Sequence, residues 1–209
     1  MQIAIPVFER FTALDAIGPY DVLSRLPGAT VTFVSTETGP VRSDNGMLAV
    51  VADATLDDTP APDVLVFPGG FGTRPLLEDD VWLDWVREVH AQSQWTTSVC
   101  TGSLVLAAAG VLEGREATTH WAARSELERL GSPYVEQRVV RHGKVVCAAG
   151  VSAGIDMALT LAAEIAGEDV AKAIQLYIEY DPQPPFDSGA PSKVPQHVLE
   201  ALASVVATD

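Results

Sequence analysis

Short apolar runs alternate with helix-patterned stretches along most of this chain, and that alternation constrains its fold more than any other feature. Residues 2–8, 30–36, 63–67 and 95–99 are mostly apolar or β-branched, as strands of a buried sheet are. Between them lie helix signals. Pro19 suits a first helical turn, and the pattern then runs to Pro27-Gly28. Residues 76–92 place Trp82, Trp85 and Val89 on one face. Helices are also predicted over 101–109, 120–130, 150–167, 168–178 and 196–207, several of them stopping at a glycine. Asn45-Gly46 and His142-Gly143 read as hairpin turns. Strand–helix alternation predicts an α/β fold with a mostly parallel sheet and helices on both faces. One domain is expected over 1–209. Residues 181–195, with five prolines, form an arm on that domain or on a partner subunit.

In such sheets ligands bind at the carboxyl ends of strands. Three features fall there: the loop after residue 8, Gly69-Gly70 after Phe67, and Cys100 after Val99. Ser98-Val99-Cys100-Thr101-Gly102 has the form of a nucleophile elbow with cysteine in place of serine. Gly102 permits the close packing of a sharp strand-to-helix turn. Free N–H groups at the helix start favour a thiolate. The alternative is a small buried hydrophobe, the usual fate of a free cysteine. Thr101 either begins the helix or offers its N–H and hydroxyl to the site, and an N–H of Gly70 is a second candidate anion donor. Asp15, just before the predicted helix, is either a cap or a desolvated general acid, since Leu14, Ala16 and Ile17 surround it. His120 is a possible partner for the thiol or a structural helix-start residue. Phe8, Phe71 and Trp121 are candidate pocket residues by adjacency to strand ends. No His, Cys or carboxylate spacing matches a metal site, so no metal is expected, and the glycines form no dinucleotide or P-loop fingerprint.

The charge of −15 repels phosphate backbones and argues against nucleic acid as a partner. Two widely spaced cysteines make no disulfide framework and suit a reducing cytoplasm. The first residues lack a signal-peptide pattern, and no apolar run approaches a membrane span.

Several motifs in this order resemble the ThiJ/PfpI superfamily nearly end to end. They are Leu14-Asp15…Gly18-Pro19…Asp21-Val22-Leu23, Pro68-Gly69-Gly70, Ser98 to Gly102, Ala117 to Trp121 and Ser152 to Asp156. Ser98 to Leu106, Thr118 to Trp121, Ala153 to Ala158 and Pro184-Pro185-Phe186 are most similar to its isonitrile hydratase branch. The resemblance implies a flavodoxin-like three-layer sandwich and a homodimer. It implies Cys100 as nucleophile with Asp15 and Thr101 as catalytic partners, and an isocyanide substrate. Glyoxalase-like or amidase-like chemistry, and a non-enzymatic redox or ligand sensor, are the alternatives. The absence of an obvious Arg or Lys near Cys100 weighs against a carboxylate-bearing substrate. The amidase-like domains of AraC-type regulators share much of the pattern, but a DNA-binding domain after it is not expected here.

Overall fold

The structure, a computed structural model, describes residues 1–206. Met1–Ile178 forms one compact unit, and the residues from Glu179 onward form a second. The first unit runs β1 (Gln2–Pro6), α1 (Ala13–Leu23), β2 (Thr30–Ser35), β3 (Gly39–Arg42), β4 (Ala49–Ala52), β5 (Ala54–Thr55), β6 (Val64–Phe67), α2 (Thr73–Leu76) and α3 (Asp80–Gln92). It continues with β7 (Trp95–Val99), α4 (Gly102–Ala108), α5 (Arg124–Arg129), β8 (Val139–His142), β9 (Val145–Ala148), α6 (Ala153–Ala166) and α7 (Glu168–Tyr177). The second unit holds α8 (Gln196–Val206) after a proline-rich stretch with one 3-10 turn at Pro191–Lys193. The expected end of that helix, Ala207, lies outside the described residues.

Seven strands form one sheet in the order β5-β2-β1-β6-β7-β9-β8. All neighbours are parallel except β8, which pairs antiparallel with β9. The predicted α/β class is therefore the observed one, a flavodoxin-like sandwich with helices over both faces. One helix group joins α1 to α6 and α6 to α7; the other joins α3 and α5 to α4. Every residue of β6, and all but the first of β1 and β7, is buried, which is why their sequences are nearly free of charge. β3 and β4 form the separate hairpin that Asn45-Gly46 foretells.

Register positions the site. Phe67 pairs with Ser98 and Val99 with Ala148, so β6, β7 and β9 end together. Bridges from Phe11 to Gly70 and to Ser43 tie the loop after β1 to the loop after β6 and to the hairpin.

The helix boundaries differ from expectation at two informative places. α1 begins at Ala13, so Pro19 lies inside it rather than in its first turn, and Asp15 lies within the helix rather than before it. Pro19 has no N–H for the carbonyl four residues back, which is that of Asp15. The helix expected over 76–92 starts at Asp80, since α2 ends at Leu76 and Asp79 caps α3, its carboxylate accepting from Val81 N–H at 3.0 Å and Trp82 N–H at 3.5 Å.

Candidate active site

Cys100 follows the last residue of β7 with φ at +56°, a left-handed conformation that a residue with a Cβ adopts only when held there. It is held at both ends. Its N–H points at the carbonyls of Ala149 (2.8 Å) and Ala148 (3.2 Å), and its carbonyl accepts from the hydroxyls of Thr119 (3.0 Å) and Ser103 (3.1 Å). Gly102 makes the turn sterically possible, since a Cβ there would stand 2.2 Å from the Phe67 carbonyl oxygen. The chain thus passes from β7 to α4 through a sharp turn at Cys100 and Thr101.

Asp15 comes to this cysteine from α1. It is fully buried (0% exposed), and its Oδ2 accepts from the Gly69 N–H at 2.9 Å. It caps no helix end. Its Oδ1 is sealed from solvent without an N–H or O–H partner, and the carboxyl lies within hydrogen-bonding reach of the Cys100 thiol. Burial pushes the carboxyl from an ordinary 3.8 up to about 8, against the opposing pull of the Gly69 N–H. Asp15 therefore carries a proton at neutral pH.

Cys100 is 6% exposed. Burial, followed by the charge of Asp15 when ionised, pushes its thiol well above the ordinary range. The Thr101 backbone N–H and hydroxyl pull in the opposite direction. This corrects the expectation of a resting thiolate. The pocket favours a neutral acid beside a neutral thiol, and desolvation outweighs the start of a short helix.

Thr101 is nearly buried, and its hydroxyl sits in a network that local sequence does not disclose. Oγ1 accepts from Gly70 N–H at 2.9 Å and lies 3.1 Å from the Gly70 carbonyl and 3.2 Å from the Thr73 hydroxyl. The Gly70 N–H, a candidate anion donor, is thus given to Thr101. Gly69 has no room for a side chain: a Cβ would meet Thr101 N at 2.5 Å and Asp15 Oδ2 at 2.9 Å. Arg74 contacts the Gly70 carbonyl at 3.3 Å and pairs with Glu126 at 3.0 Å. A guanidinium therefore lies beside the Gly70 loop, where the sequence suggests none, with Gly70, Thr73 and Glu126 as partners.

The remaining candidates divide. His120 Nδ1 accepts from Ala122 N–H at 3.3 Å, which leaves the ring proton on Nε2. Burial, then the Arg74 charge, lowers its pKa, so the ring is neutral. Among the described residues no hydrogen bond joins it to Cys100. Trp121 (42% exposed) lies beside it, with ring centres 5.4 Å apart, and Phe71 (44% exposed) carries Arg10 over its face. Phe8 is instead a core residue, its ring centre 5.8 Å from that of Phe67 and 6.0 Å from that of Trp82, because this aromatic cluster takes up its ring and leaves it only 4% exposed. An open groove of about 500 Å³ lies elsewhere, between Arg25 and the α7 residues Val170, Ala173 and Tyr177. Among the described residues no cluster of three or more His, Cys, Asp or Glu has the arrangement to hold a metal ion. Likewise no helix among them is long and apolar enough to cross a membrane.

Residues 1–164 match the model of the DJ-1/PfpI family. The chain belongs to the DJ-1/PfpI family. Among relatives, it is 48% identical to the isonitrile hydratase of Pseudomonas putida over 96% of this chain and 87% of that protein. Among solved structures, a ThiJ/PfpI family protein from Pseudomonas syringae superposes with a TM-score of 0.93 at 40% identity, covering 99% of this chain and 86% of the other. An oxidized DJ-1 of Toxoplasma gondii superposes with a TM-score of 0.76 at 25% identity, covering 87% and 99%. Within this DJ-1/PfpI fold, Cys100, the buried Asp15 carboxyl and the Thr101 N–H and hydroxyl come together just past the end of β7.

Proposed function

We propose that this chain is an isonitrile hydratase, adding water to R–N≡C to give an N-substituted formamide through a thioimidate on Cys100. The observation that carries the proposal is the buried Asp15 carboxyl, protonated near neutrality and set against the Cys100 thiol. An isonitrile is activated by a proton on its terminal carbon, which then accepts a nucleophile. An acid–thiol pair supplies both. Asp15 delivers its proton to that carbon as Cys100 Sγ bonds to it, and the thiol proton passes to Asp15, giving R–N=CH–S–Cys100. Water then adds to the same carbon. Its hydroxyl forms the new C–O bond and its second proton reaches nitrogen through Asp15. Collapse of R–NH–CH(OH)–S–Cys100 breaks the C–S bond, returns the hydroxyl proton to sulfur and releases R–NH–CHO. The Thr101 N–H and hydroxyl stabilise the sulfur as it leaves.

Every atom of product comes from isonitrile and water, so the scheme calls for no cofactor. The exposed apolar groups Leu14, Phe71 and Trp121 suit a substrate whose single polar end is the one that reacts. The reading extends to the whole of 1–209 as one domain acting as a homodimer, and to the cytoplasm, where two free cysteines persist. The test is formamide release from a small alkyl isonitrile, followed by NMR, with wild type and Cys100→Ala side by side. Wild type turns over and the variant does not. Formamide release by the variant, or turnover of methylglyoxal but not isonitrile by wild type, overturns the proposal.

A further inference from the structure

We propose that Thr73 is a positioning residue that directs the Thr101 hydroxyl proton toward the Cys100 sulfur. The inference rests on the reading of Cys100 as nucleophile, but its central test requires no isonitrile. Two buried hydroxyls, Thr73 and Thr101, have one proton each and share an acceptor, the Gly70 carbonyl. Thr73 Oγ1 is closer to it, at 2.8 Å against 3.1 Å for Thr101 Oγ1, and the hydroxyls lie 3.2 Å from each other. Thr101 Oγ1 already accepts from the Gly70 N–H at 2.9 Å.

Both hydroxyls lie in reach of the Gly70 carbonyl, but its two acceptor sites also receive the Thr73 N–H at 3.2 Å, so the hydroxyls compete for what is left and two proton arrangements follow. In one, Thr73's hydroxyl joins its N–H on the Gly70 carbonyl, and Thr101 is left to donate to the Cys100 thiol, which its hydroxyl also contacts. In the other, Thr101 donates to the carbonyl and Thr73 donates to Thr101, and the sulfur loses its hydroxyl donor. The shorter Thr73 bond selects the first. The Arg74 guanidinium, 3.3 Å from both the carbonyl and Thr73 Oγ1, reinforces that choice by donating to the Thr73 oxygen and leaving its proton for the carbonyl. Developing negative charge on sulfur therefore finds an oriented donor without reorganisation. Without Thr73's hydroxyl an acceptor site on the carbonyl, 3.1 Å from Thr101 Oγ1, is freed to take the Thr101 proton.

Thr73→Val tests this. It conserves shape, and the Gly70 carbonyl keeps the Thr73 backbone N–H and Arg74 as donors, so no buried acceptor is orphaned. The readout is the rate of Cys100 alkylation by iodoacetamide as a function of pH, with circular dichroism confirming the fold. The expected result is an upward shift of the alkylation profile and roughly tenfold slower modification at pH 8, as loss of one hydrogen bond to a charged group implies. Thr73→Ser restores the profile, and Thr73→Val adds nothing in a Thr101→Val background. An unshifted profile in folded Thr73→Val overturns the proposal, as does an additive effect in the double variant. If alkylation shifts as expected while no isonitrile is hydrated by wild type, the positioning role stands and the proposed reaction falls.

Discussion

Cys147 lies in β9 and Cys100 just past the end of its neighbour β7, and both thiols are buried and pushed up by desolvation, Cys147 to about 11. Burial alone therefore does not separate a reactive cysteine from an inert one here. Their surroundings do. Cys147 stands in regular ladder between Ser98 on β7 and Val140 on β8, with the Ser98 hydroxyl as its polar neighbour. Cys100 stands where the ladder ends, in a left-handed conformation, facing an acid from α1 and two donors from Thr101. A sheet interior hides a thiol among fixed partners, whereas a sheet end lets a helix and a strand-to-helix turn bring proton-handling groups to it.

The largest expected effect is on chemical modification. Alkylation of Cys147 requires the β7–β9–β8 ladder to open, at a cost approaching global unfolding, so it should proceed more than ~10³-fold slower than that of Cys100 in native buffer. Peptide mapping by mass spectrometry after iodoacetamide treatment measures the ratio. Comparable rates would erase the distinction between the two sites.

Next is Asp15. Asp15→Asn keeps the shape and removes the transferable proton, so isonitrile turnover should fall ~10²- to 10⁴-fold. In wild type, turnover should decline as pH rises through about 8, where Asp15 loses its proton. Stability carries the same signature. The folded value of about 8 lies above the ordinary 3.8, so the native state binds the proton more tightly than the unfolded chain. The contribution is present below about pH 4 and is lost as pH rises through about 8, a span worth at most on the order of 5 kcal/mol. Asp15→Asn should flatten that slope, and denaturant midpoints at pH 5 and pH 9 report it. A slope unchanged in the variant would return Asp15 to an ordinary surface-like carboxylate.

The contrast between the cysteines was partly legible in the sequence. Val99-Cys100-Thr101-Gly102 announces a strand end, a turn and a helix start within a few residues, all of it local. The alternation of strand and helix likewise revealed the sheet. Asp15 was harder, because helix-entry aspartates are common caps and only the β1–β6 pairing reveals that Gly69 stands over it. Pro19 misled for a related reason: proline marks first turns on average, yet here packing of α1 on α6 sustains a helix around it. Thr73 and Arg74 left no local signal. Thr73 meets Thr101 across 28 residues, and Arg74 meets Glu126 across 52. Phe8 was misplaced because adjacency to a strand end does not say which way a ring turns.

The smallest expected effect tests the inert half of the comparison. Cys147→Ala removes one sulfur from a close-packed strand, beside a Ser98 hydroxyl that is already buried without a hydrogen-bond partner. The cost should therefore be that of a small cavity alone, about 1–2 kcal/mol. Urea midpoints measure it. Isonitrile turnover of folded Cys147→Ala should stay within twofold of wild type, because β9 supports the elbow through the Ala148 and Ala149 carbonyls rather than through this side chain. A large loss of turnover without loss of fold would mean that the two thiols are coupled through Ser98, and that the ladder isolates Cys147 less than its burial implies.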